Sequence, residues 1–254
     1  MGDVKRARTA AAAAKSSDAG ADAPNPAAQQ QQQQQQQQAP QNDAGAPLAS
    51  NDNGAEQPRR SFAMVCSSNM NRSMEAHKQL MRRGLKVASF GVGTMVRLPA
   101  PRGQAVFPFG TPYRDILAAL KEGEDEGAWY RANGLLSMLE RNVEIKDHPE
   151  RWQLVDRLSG RFDVVFCFEE RVFDALTEDV ASREPEDSDE PRPVHIINLE
   201  VPDNTEEAVI GAQVALDVCV RANEAAQLDE ELPTIIEDAQ RRYGRPFLHQ
   251  TVYV

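Results

Sequence analysis

The chain has 254 residues, of which 41% are hydrophobic, and its 39 Asp and Glu outnumber its 28 Lys and Arg, giving a formal net charge of -11. A protein this acidic repels nucleic-acid phosphates, so direct binding of nucleic acid along a charged groove is not expected. No stretch reaches the roughly 18 consecutive apolar residues of a membrane span, so no membrane partner is expected either.

Residues 1–60 form a low-complexity segment with almost no large aliphatic or aromatic side chains. The segment contains an alanine run at 10–14 and ten glutamines at 29–38. It cannot bury enough apolar surface to offset the entropy of ordering the chain. We therefore predict a disordered tail over residues 1–60 and a single domain over residues 61–254. The basic cluster at 5–8 could be part of a nuclear import signal.

The first predicted elements form a strand, a polar loop and a helix. Residues 62–65 are an apolar run typical of a buried strand, and apolar residues then recur at helical spacing from Met74 to Met81. Ser73 can cap the start of this helix, and Gly84 supplies a left-handed stop. A second strand at 86–90 completes a β-α-β unit.

The rest of the domain continues this alternation. The predicted elements are, in order, a small hairpin at 95–98 and 105–107, helices at 113–120 and 128–141, a strand at 162–168, a helix at 169–176, a strand at 194–199, helices at 206–221 and 230–243, and an edge strand at 247–254. We predict an α/β fold of three layers, with a mostly parallel sheet flanked by helices. In such sheets ligands bind beyond the carboxyl ends of the strands.

The acidic run at 184–190 is interpreted as a solvated loop.

Cys66 stands at the carboxyl end of the first predicted strand, and Arg72 follows it by six residues. We call residues 66–72 the phosphate loop, because such a loop can wrap backbone N–H groups around an oxyanion while the helix N-terminus adds positive charge. Arg72 can clamp phosphate with a bidentate fork. The same field favours a thiolate at Cys66, the form that attacks phosphorus, and the Ser73 hydroxyl could stabilise that thiolate as it leaves. The predicted phosphate contacts are Ser67, Ser68, Asn69, Met70, Asn71 and Arg72.

The other reactive side chains have no such setting. Cys167 and Cys219 lie on an apolar strand and a helix face, where buried core thiols are the simplest interpretation. His77 falls on an apolar helix face, where packing with one hydrogen bond is expected. The histidines and cysteines show no metal-ligand spacing, so neither a metal nor another cofactor is expected.

The segment VCSSNMNRSMEAH at 65–77 resembles the active-site segment of the RNA polymerase II carboxy-terminal-domain phosphatases that act on the fifth serine of the heptad repeat. Further segments resemble this family in the same order, at 89–93, 97–99, 133–139, 169–172, 203–204 and 247–249. The family has a fold similar to low-molecular-weight tyrosine phosphatases, whose loop usually has Gly at the position of Ser68 and a second Cys at that of Asn71. Both departures favour the polymerase-tail family.

The resemblance implies roles for individual residues. Cys66 would be the nucleophile, Arg72 the phosphate clamp and Asp203 the acid that protonates the leaving serine oxygen. From the residues alone, the N-cap of the following helix is the favoured interpretation of Asp203, and the resemblance reverses that preference. The resemblance also implies a pocket that recognises a cis proline, formed by Arg97, Pro99, Leu135 and Met138.

The implied biology is that of a nuclear protein serine phosphatase in transcription termination and mRNA 3'-end processing. Its implied partners are the phosphorylated carboxy-terminal domain of RNA polymerase II and a helical-repeat scaffold subunit of the cleavage and polyadenylation machinery. Two alternatives stay open. An arsenate reductase would use the same loop but needs further reactive cysteines, and a scaffold subunit of the processing complex would need little activity.

Overall fold

The computed structural model describes residues 60–158, 161–183 and 191–254. The predicted tail, apart from its last residue Arg60, the basic cluster at 5–8 and the acidic run at 184–190 lie outside these residues. In chain order the elements are β1 (Ser61–Cys66), α1 (Arg72–Arg82), β2 (Lys86–Gly91), β3 (Val96–Ala100), β4 (Gly103–Phe107), α2 (Tyr113–Lys121), α3 (Glu124–Ala132), α4 (Leu135–Ile145), β5 (Val164–Cys167), α5 (Glu170–Ser182), β6 (Pro193–Leu199), α6 (Thr205–Glu224), α7 (Leu228–Tyr243) and β7 (Phe247–Tyr253).

The main sheet has the strand order β2-β1-β5-β6-β7 in the described part of the chain. The first four of these strands are parallel, and β7 pairs antiparallel with β6 at the edge. The predicted mostly parallel sheet and the predicted edge strand at the C-terminus are therefore confirmed.

Side chains of β1 alternate between two apolar cores, because successive residues of a strand point to opposite faces of the sheet. Phe62 and Met64 pack with buried residues of α1, α6 and α7, whereas Ala63 and Val65 pack with Trp152 and buried residues of α5. All six residues of β1 are buried. The sheet therefore has helices on both faces, which confirms the predicted three layers.

The segment between β2 and β5 forms a third apolar cluster beside the sheet. It contains the β3/β4 hairpin, which is antiparallel as predicted, and helices α2, α3 and α4. Met70 and Met74 belong to this cluster, so the insertion packs directly against the loop after β1. None of the described helices is long and apolar enough to cross a bilayer.

The single helix predicted at 128–141 is wrong, because the chain forms two helices there, α3 and α4. Gly134 separates them with a φ of 75°, a left-handed conformation that other residues adopt only at a cost. The Asn133 side chain donates to the carbonyl of Trp129 and closes the last turn of α3. The apolar spacing continues across the break, which is why periodicity alone predicted one helix.

Two helix starts also differ from the predictions. The N-cap position of α1 is Asn71, whose side chain makes no capping hydrogen bond, so the predicted cap by Ser73 is wrong. The N-cap of α6 is Asn204, whose side chain accepts from the N–H of Glu207 at 2.9 Å. Asp203 is therefore not the cap of that helix. Gly84 follows α1 with a φ of 83°, as predicted for its left-handed stop.

The parallel strands bring three chain segments to one edge of the sheet. Cys66 ends β1, Glu169 follows β5 and Asp203 follows β6. Because the carboxyl ends of parallel strands lie at the same edge, residues more than a hundred positions apart in sequence meet there.

Candidate active site

Cys66 is buried at the end of β1, and its Sγ lies 3.0 Å from the Oγ of Ser73 in the first turn of α1. The Nδ2 of Asn69 donates to the same Oγ at 3.0 Å. Because Asn69 occupies an acceptor site of the hydroxyl, the hydroxyl proton is available to the sulfur. Ser73 is thus placed as the sequence predicted for a group that stabilises a leaving thiolate.

The backbone carbonyls of the phosphate loop are held from outside. The carbonyl of Cys66 accepts from Val92 N at 3.0 Å, that of Ser67 from Gly93 N at 2.9 Å, that of Asn69 from Tyr113 Oη at 2.6 Å and that of Met70 from Asn142 Nδ2 at 2.8 Å. Burial, together with the charge of Cys66, raises the pKa of the Tyr113 hydroxyl well above its usual value, which keeps this donor protonated.

In a planar trans peptide the carbonyl and the following N–H point in opposite directions. Carbonyls held outside therefore turn the N–H groups of Ser67, Ser68, Met70 and Asn71 toward the inside of the loop. Within residues 60–158, 161–183 and 191–254, no acceptor takes a hydrogen bond from the N–H groups of residues 67–71. The loop therefore offers a ring of free donors to an oxyanion.

Asn69 fixes the shape of this ring. It is fully buried and has a φ of 54°, the one positive value among the described residues other than glycine. Its Oδ1 accepts from the N–H of Glu150 at 3.1 Å, in addition to the bonds with Ser73 and Tyr113. Asparagine adopts this left-handed conformation more readily than most other residues, and three side-chain and backbone bonds hold it in place.

The end of β2 lies directly against the loop. A methyl group on Gly91 would stand 2.8 Å from the carbonyl oxygen of Ser67 and 2.9 Å from the N of Asn69, and one on Gly93 would stand 3.0 Å from that same oxygen. Only glycine lets residues 91 and 93 approach the loop this closely, and the pattern of apolar residues does not predict this contact.

Arg72 is buried and braced by the carboxyl ends of β5 and β6. Its Nη1 donates to the carbonyls of Phe168 at 3.1 Å and Val201 at 2.9 Å, and its Nη2 donates to Glu169 at 2.8 Å. Burial disfavours the charged guanidinium, but Cys66, Asp203 and Glu169 outweigh it and raise the pKa of Arg72.

The Nε of Arg72 is buried without a hydrogen-bond partner in the described part of the chain. A bidentate fork on phosphate would therefore use Nε and Nη2, because Nη1 is occupied by backbone carbonyls. Glu169, the carboxylate that orients Arg72, was not predicted from the sequence. Its position directly after the strand predicted at 162–168 could have indicated it.

Asp203 reaches the loop from the segment after β6. Its Oδ1 accepts from the Nδ2 of Asn71 at 3.0 Å, and its Oδ2 lies 3.5 Å from the Nη2 of Arg72. The side chain is 59% exposed, so water and a bound ligand can reach it. The geometry thus places this carboxylate at the edge of the phosphate loop.

A cavity of about 350 Å³ opens above Cys66. We call it the substrate cavity. It is lined by the predicted proline-pocket residues Arg97, Pro99, Leu135 and Met138, by the loop residues Cys66, Ser68, Met70 and Asn71, and by Leu98, Trp129, Asn133, Gly134, Asp203, Asn204 and Thr205. Trp129 and Asn133 were not predicted, because their approach to the cavity depends on the break between α3 and α4. Thr205, at the start of α6, was not predicted either.

The remaining cysteines and His77 lie where the sequence analysis placed them. Cys167 and Cys219 are fully buried free thiols, and burial raises the pKa of both. The Nδ1 of His77 lies 2.8 Å from the Oγ of Ser89, and burial together with Lys146 lowers the pKa of His77 to about 4.

Across the described residues, no group of three or more His, Cys, Asp and Glu is arranged to hold a metal ion.

A strand, a loop with a buried cysteine and an arginine, and a helix that starts at that arginine define an α/β domain with a candidate phosphate-binding loop. Comparison with known proteins identifies the particular family. A family model described as Ssu72-like protein matches residues 60–254, and the chain belongs to the Ssu72 family.

Curated relatives agree with this assignment. The RNA polymerase II C-terminal domain phosphatase SSU72 of Dictyostelium discoideum is 41% identical over 214 residues, which cover 82% of this chain and 98% of the relative. The Homo sapiens protein of the same name is 41% identical over 193 residues, covering 75% of this chain and 95% of its own. The chain is therefore a member of a family of protein phosphatases.

Solved structures show the same fold. The Drosophila melanogaster Ssu72 in complex with Symplekin and a cis peptidomimetic phosphoserine peptide of the C-terminal domain has a TM-score of 0.71 and 39% identity, covering 77% of this chain and 99% of that one. A second Drosophila melanogaster structure of the family has a TM-score of 0.70 and 40% identity, covering 77% of this chain and all of that one.

We expect Gly91→Ala to lower the activity toward an aryl phosphate by about tenfold or more, because the added methyl displaces the carbonyl of Ser67 and the N of Asn69. Gly84→Ala is the matched control, because Gly84 has a positive φ and nothing within 4 Å of an added methyl. It should cost about 1 kcal/mol of stability and leave kcat/KM unchanged. Equal kcat/KM in wild type and Gly91→Ala would contradict the close approach.

Proposed function

We propose that this chain removes phosphate from the fifth-position serine of RNA polymerase II heptads through a cysteinyl-phosphate intermediate. The observation that carries the proposal is the burial of Cys66 beneath free backbone donors, with Arg72 and Asp203 at the edge of the same loop. The names of the curated relatives support the substrate class.

In the first step the Cys66 thiolate attacks the phosphorus of phosphoserine, and the bond between phosphorus and the serine oxygen breaks. The N–H groups of residues 67–71 and the guanidinium of Arg72 stabilise charge on the three equatorial oxygens. Asp203 gives its proton to the departing serine oxygen, which would otherwise leave as an unstable alkoxide. The exposed position of Asp203 beside Asn71 and Arg72 supports this role.

In the second step a water molecule attacks the phosphorus of the cysteinyl phosphate, and Asp203 accepts the proton of this water. The sulfur leaves as a thiolate and inorganic phosphate is released. The Ser73 hydroxyl, 3.0 Å from Sγ, donates to the sulfur as its charge returns. The bond from Asn69 to Ser73 keeps that hydroxyl directed at the sulfur.

The walls of the substrate cavity support recognition of the proline that follows the phosphoserine. Pro99, Leu135 and Met138 supply apolar surface and Arg97 supplies a cation, all within the cavity that contains Cys66. The Drosophila melanogaster relative was crystallised with a cis peptidomimetic of a peptide phosphorylated on the fifth-position serine. We infer that this chain also takes the serine-proline bond in its cis form.

We further propose that the protein acts in the nucleus, in transcription termination and mRNA 3'-end processing, with a helical-repeat scaffold as partner. The Drosophila melanogaster relative in complex with Symplekin supports such a partner. A role as scaffold subunit is compatible with activity, so the two roles can coexist.

The arsenate reductase alternative is disfavoured by the other cysteines. A reductase needs a second thiol that reaches the Cys66 adduct, whereas Cys167 and Cys219 have 0% exposure. Burial raises the pKa of both thiols, which further suppresses the reactive thiolate.

Assays on heptad phosphopeptides with phosphate at each serine in turn test the substrate. We expect release of phosphate chiefly from the fifth position, and no release by Cys66→Ser, because a serine hydroxyl in the same loop is a far poorer nucleophile. Cys219→Ser is the matched control and should keep wild-type kcat/KM. Residual activity near wild type in Cys66→Ser would exclude the proposed nucleophile.

Asp203→Asn should slow release of phosphate from phosphoserine by about a hundredfold or more, because an alkoxide needs a proton to leave. The loss on an aryl phosphate should be much smaller, since a phenolate leaves without help. Asp115→Asn is the control, because the Asp115 side chain is 60% exposed, much like that of Asp203. Equal losses on the two substrates would remove Asp203 from the role of acid.

With enzyme in excess, a heptad phosphopeptide should release phosphate in two phases. The fast phase should match the cis fraction, roughly 10 to 30%, and the slow phase should follow isomerisation over tens to hundreds of seconds and accelerate with a prolyl isomerase. Met138→Asp should weaken this selectivity, because a carboxylate is costly to bury. Met81→Asp, at an exposed position of α1, is the control. A single fast phase that consumes all the peptide would show that the proline isomer is not recognised.

A further inference from the structure

A buried ion pair lies beneath the phosphate loop, on the side away from the free N–H groups. The Nη1 of Arg141, on α4, is 2.9 Å from the Oε2 of Glu75, on α1, and the two side chains are 11% and 7% exposed. The Nη2 of Arg141 donates to the carbonyl of Met70 at 2.8 Å and to that of Asn71 at 3.3 Å. One guanidinium thus joins α1, α4 and the backbone of the loop.

Asn142 completes this contact. Its Nδ2 also donates to the carbonyl of Met70 at 2.8 Å, so both acceptor sites of that oxygen are used. Its Oδ1 accepts from the Nε and Nη2 of Arg141 at 3.0 and 2.9 Å, which keeps the amide in the orientation that presents Nδ2 to the loop. Arg141 therefore holds the Met70 carbonyl directly and also through Asn142.

Both partners of the ion pair are charged at neutral pH. Burial lowers the pKa of Arg141 despite Glu75, yet a guanidinium remains protonated in proteins. Burial alone would raise the pKa of Glu75, but Gln79 and Arg141 outweigh it and hold that pKa below its usual value. Removing Glu75 would leave the Arg141 guanidinium buried without a carboxylate, and removing Arg141 would leave Glu75 only the ammonium of Lys78, at 3.6 Å.

We propose that Arg141, supported by Glu75, is a positioning residue that sets the affinity of the phosphate loop for the phosphoryl group. It acts through the peptide between Met70 and Asn71, because holding the Met70 carbonyl outside keeps the N–H of Asn71 directed inward. Arg141 does not touch the substrate. The inference rests on the proposed function only in taking a phosphoryl group as the natural occupant of the loop.

Helix α4 also lines the substrate cavity with Leu135 and Met138. Met138 and Arg141 are three residues apart, so they lie on neighbouring turns of one helix. The element that contacts the proposed proline thus also fixes the phosphate loop. A rigid helix with both contacts keeps the distance between the two subsites constant.

The test measures binding of tungstate, a tetrahedral oxyanion, by calorimetry, together with kcat and KM for an aryl phosphate and the melting temperature. We expect Arg141→Gln to weaken tungstate binding about tenfold or more, because the N–H of Asn71 would no longer be directed at the bound oxyanion. Arg141→Lys should lie between wild type and Arg141→Gln, because one ammonium cannot serve Glu75 and two carbonyls with the same geometry. Glu75→Gln should weaken tungstate binding in the same direction.

Arg221→Gln is the matched control. Arg221 also joins two helices through a half-buried pair, with Asp238 at 2.8 Å, but it is far along the chain from the loop. It should lower the melting temperature and leave tungstate binding unchanged. Should Arg141→Gln fail to fold, Arg141→Lys and Glu75→Gln supply the same comparison.

Unchanged tungstate affinity in a folded Arg141 variant, with only a lower melting temperature, would overturn the inference. A wild type that binds tungstate but hydrolyses no phosphate ester would instead contradict the proposed function, and the Arg141 comparison would still be decided by binding. A loss of tungstate affinity confined to the Arg141 and Glu75 variants would support the positioning role.

Discussion

The site depends on one constraint, which is that the carbonyls of the phosphate loop are held on its outer side. A peptide group that presents its oxygen outward presents the following N–H inward, so every outer donor contributes to the oxyanion site. These donors come from the segment after β2, from α2 and from α4. The insertion between β2 and β5 therefore helps to shape the phosphate loop, because it supplies the side-chain donors to the carbonyls of Asn69 and Met70.

The parallel sheet supplies the second requirement, a fixed guanidinium. Arg72 is held by carbonyls and a carboxylate at the ends of β5 and β6, so its side chain is ordered before any phosphate arrives. Such preorganisation makes electrostatic stabilisation effective, since no reorganisation is needed as charge develops. On the outer side of the loop, Arg141 is likewise a buried guanidinium that is held by a carboxylate, that of Glu75. Two buried guanidinium groups, each paired with a carboxylate, thus support one anion site.

Local pattern predicted most of the fold and the centre of the site. Apolar periodicity predicted the strand at 62–65 and the helix after it. The spacing of Cys66 and Arg72 indicated a phosphate-binding loop between them. The resemblance to the polymerase-tail phosphatases added Asp203 and the residues of the substrate cavity. Periodicity failed at Gly134, because apolar spacing does not report a single left-handed residue.

The sequence by itself determined the order of strands and helices and the placement of Cys66 and Arg72 in one loop, because these depend on neighbouring residues. Only the tertiary structure decided which distant groups complete the loop. The contact between Met70 and Asn142 spans 72 positions, and that between Arg72 and Val201 spans 129. Buried polar groups at such separations pair only after the sheet and the insertion have packed, and no local pattern specifies which donor meets which carbonyl.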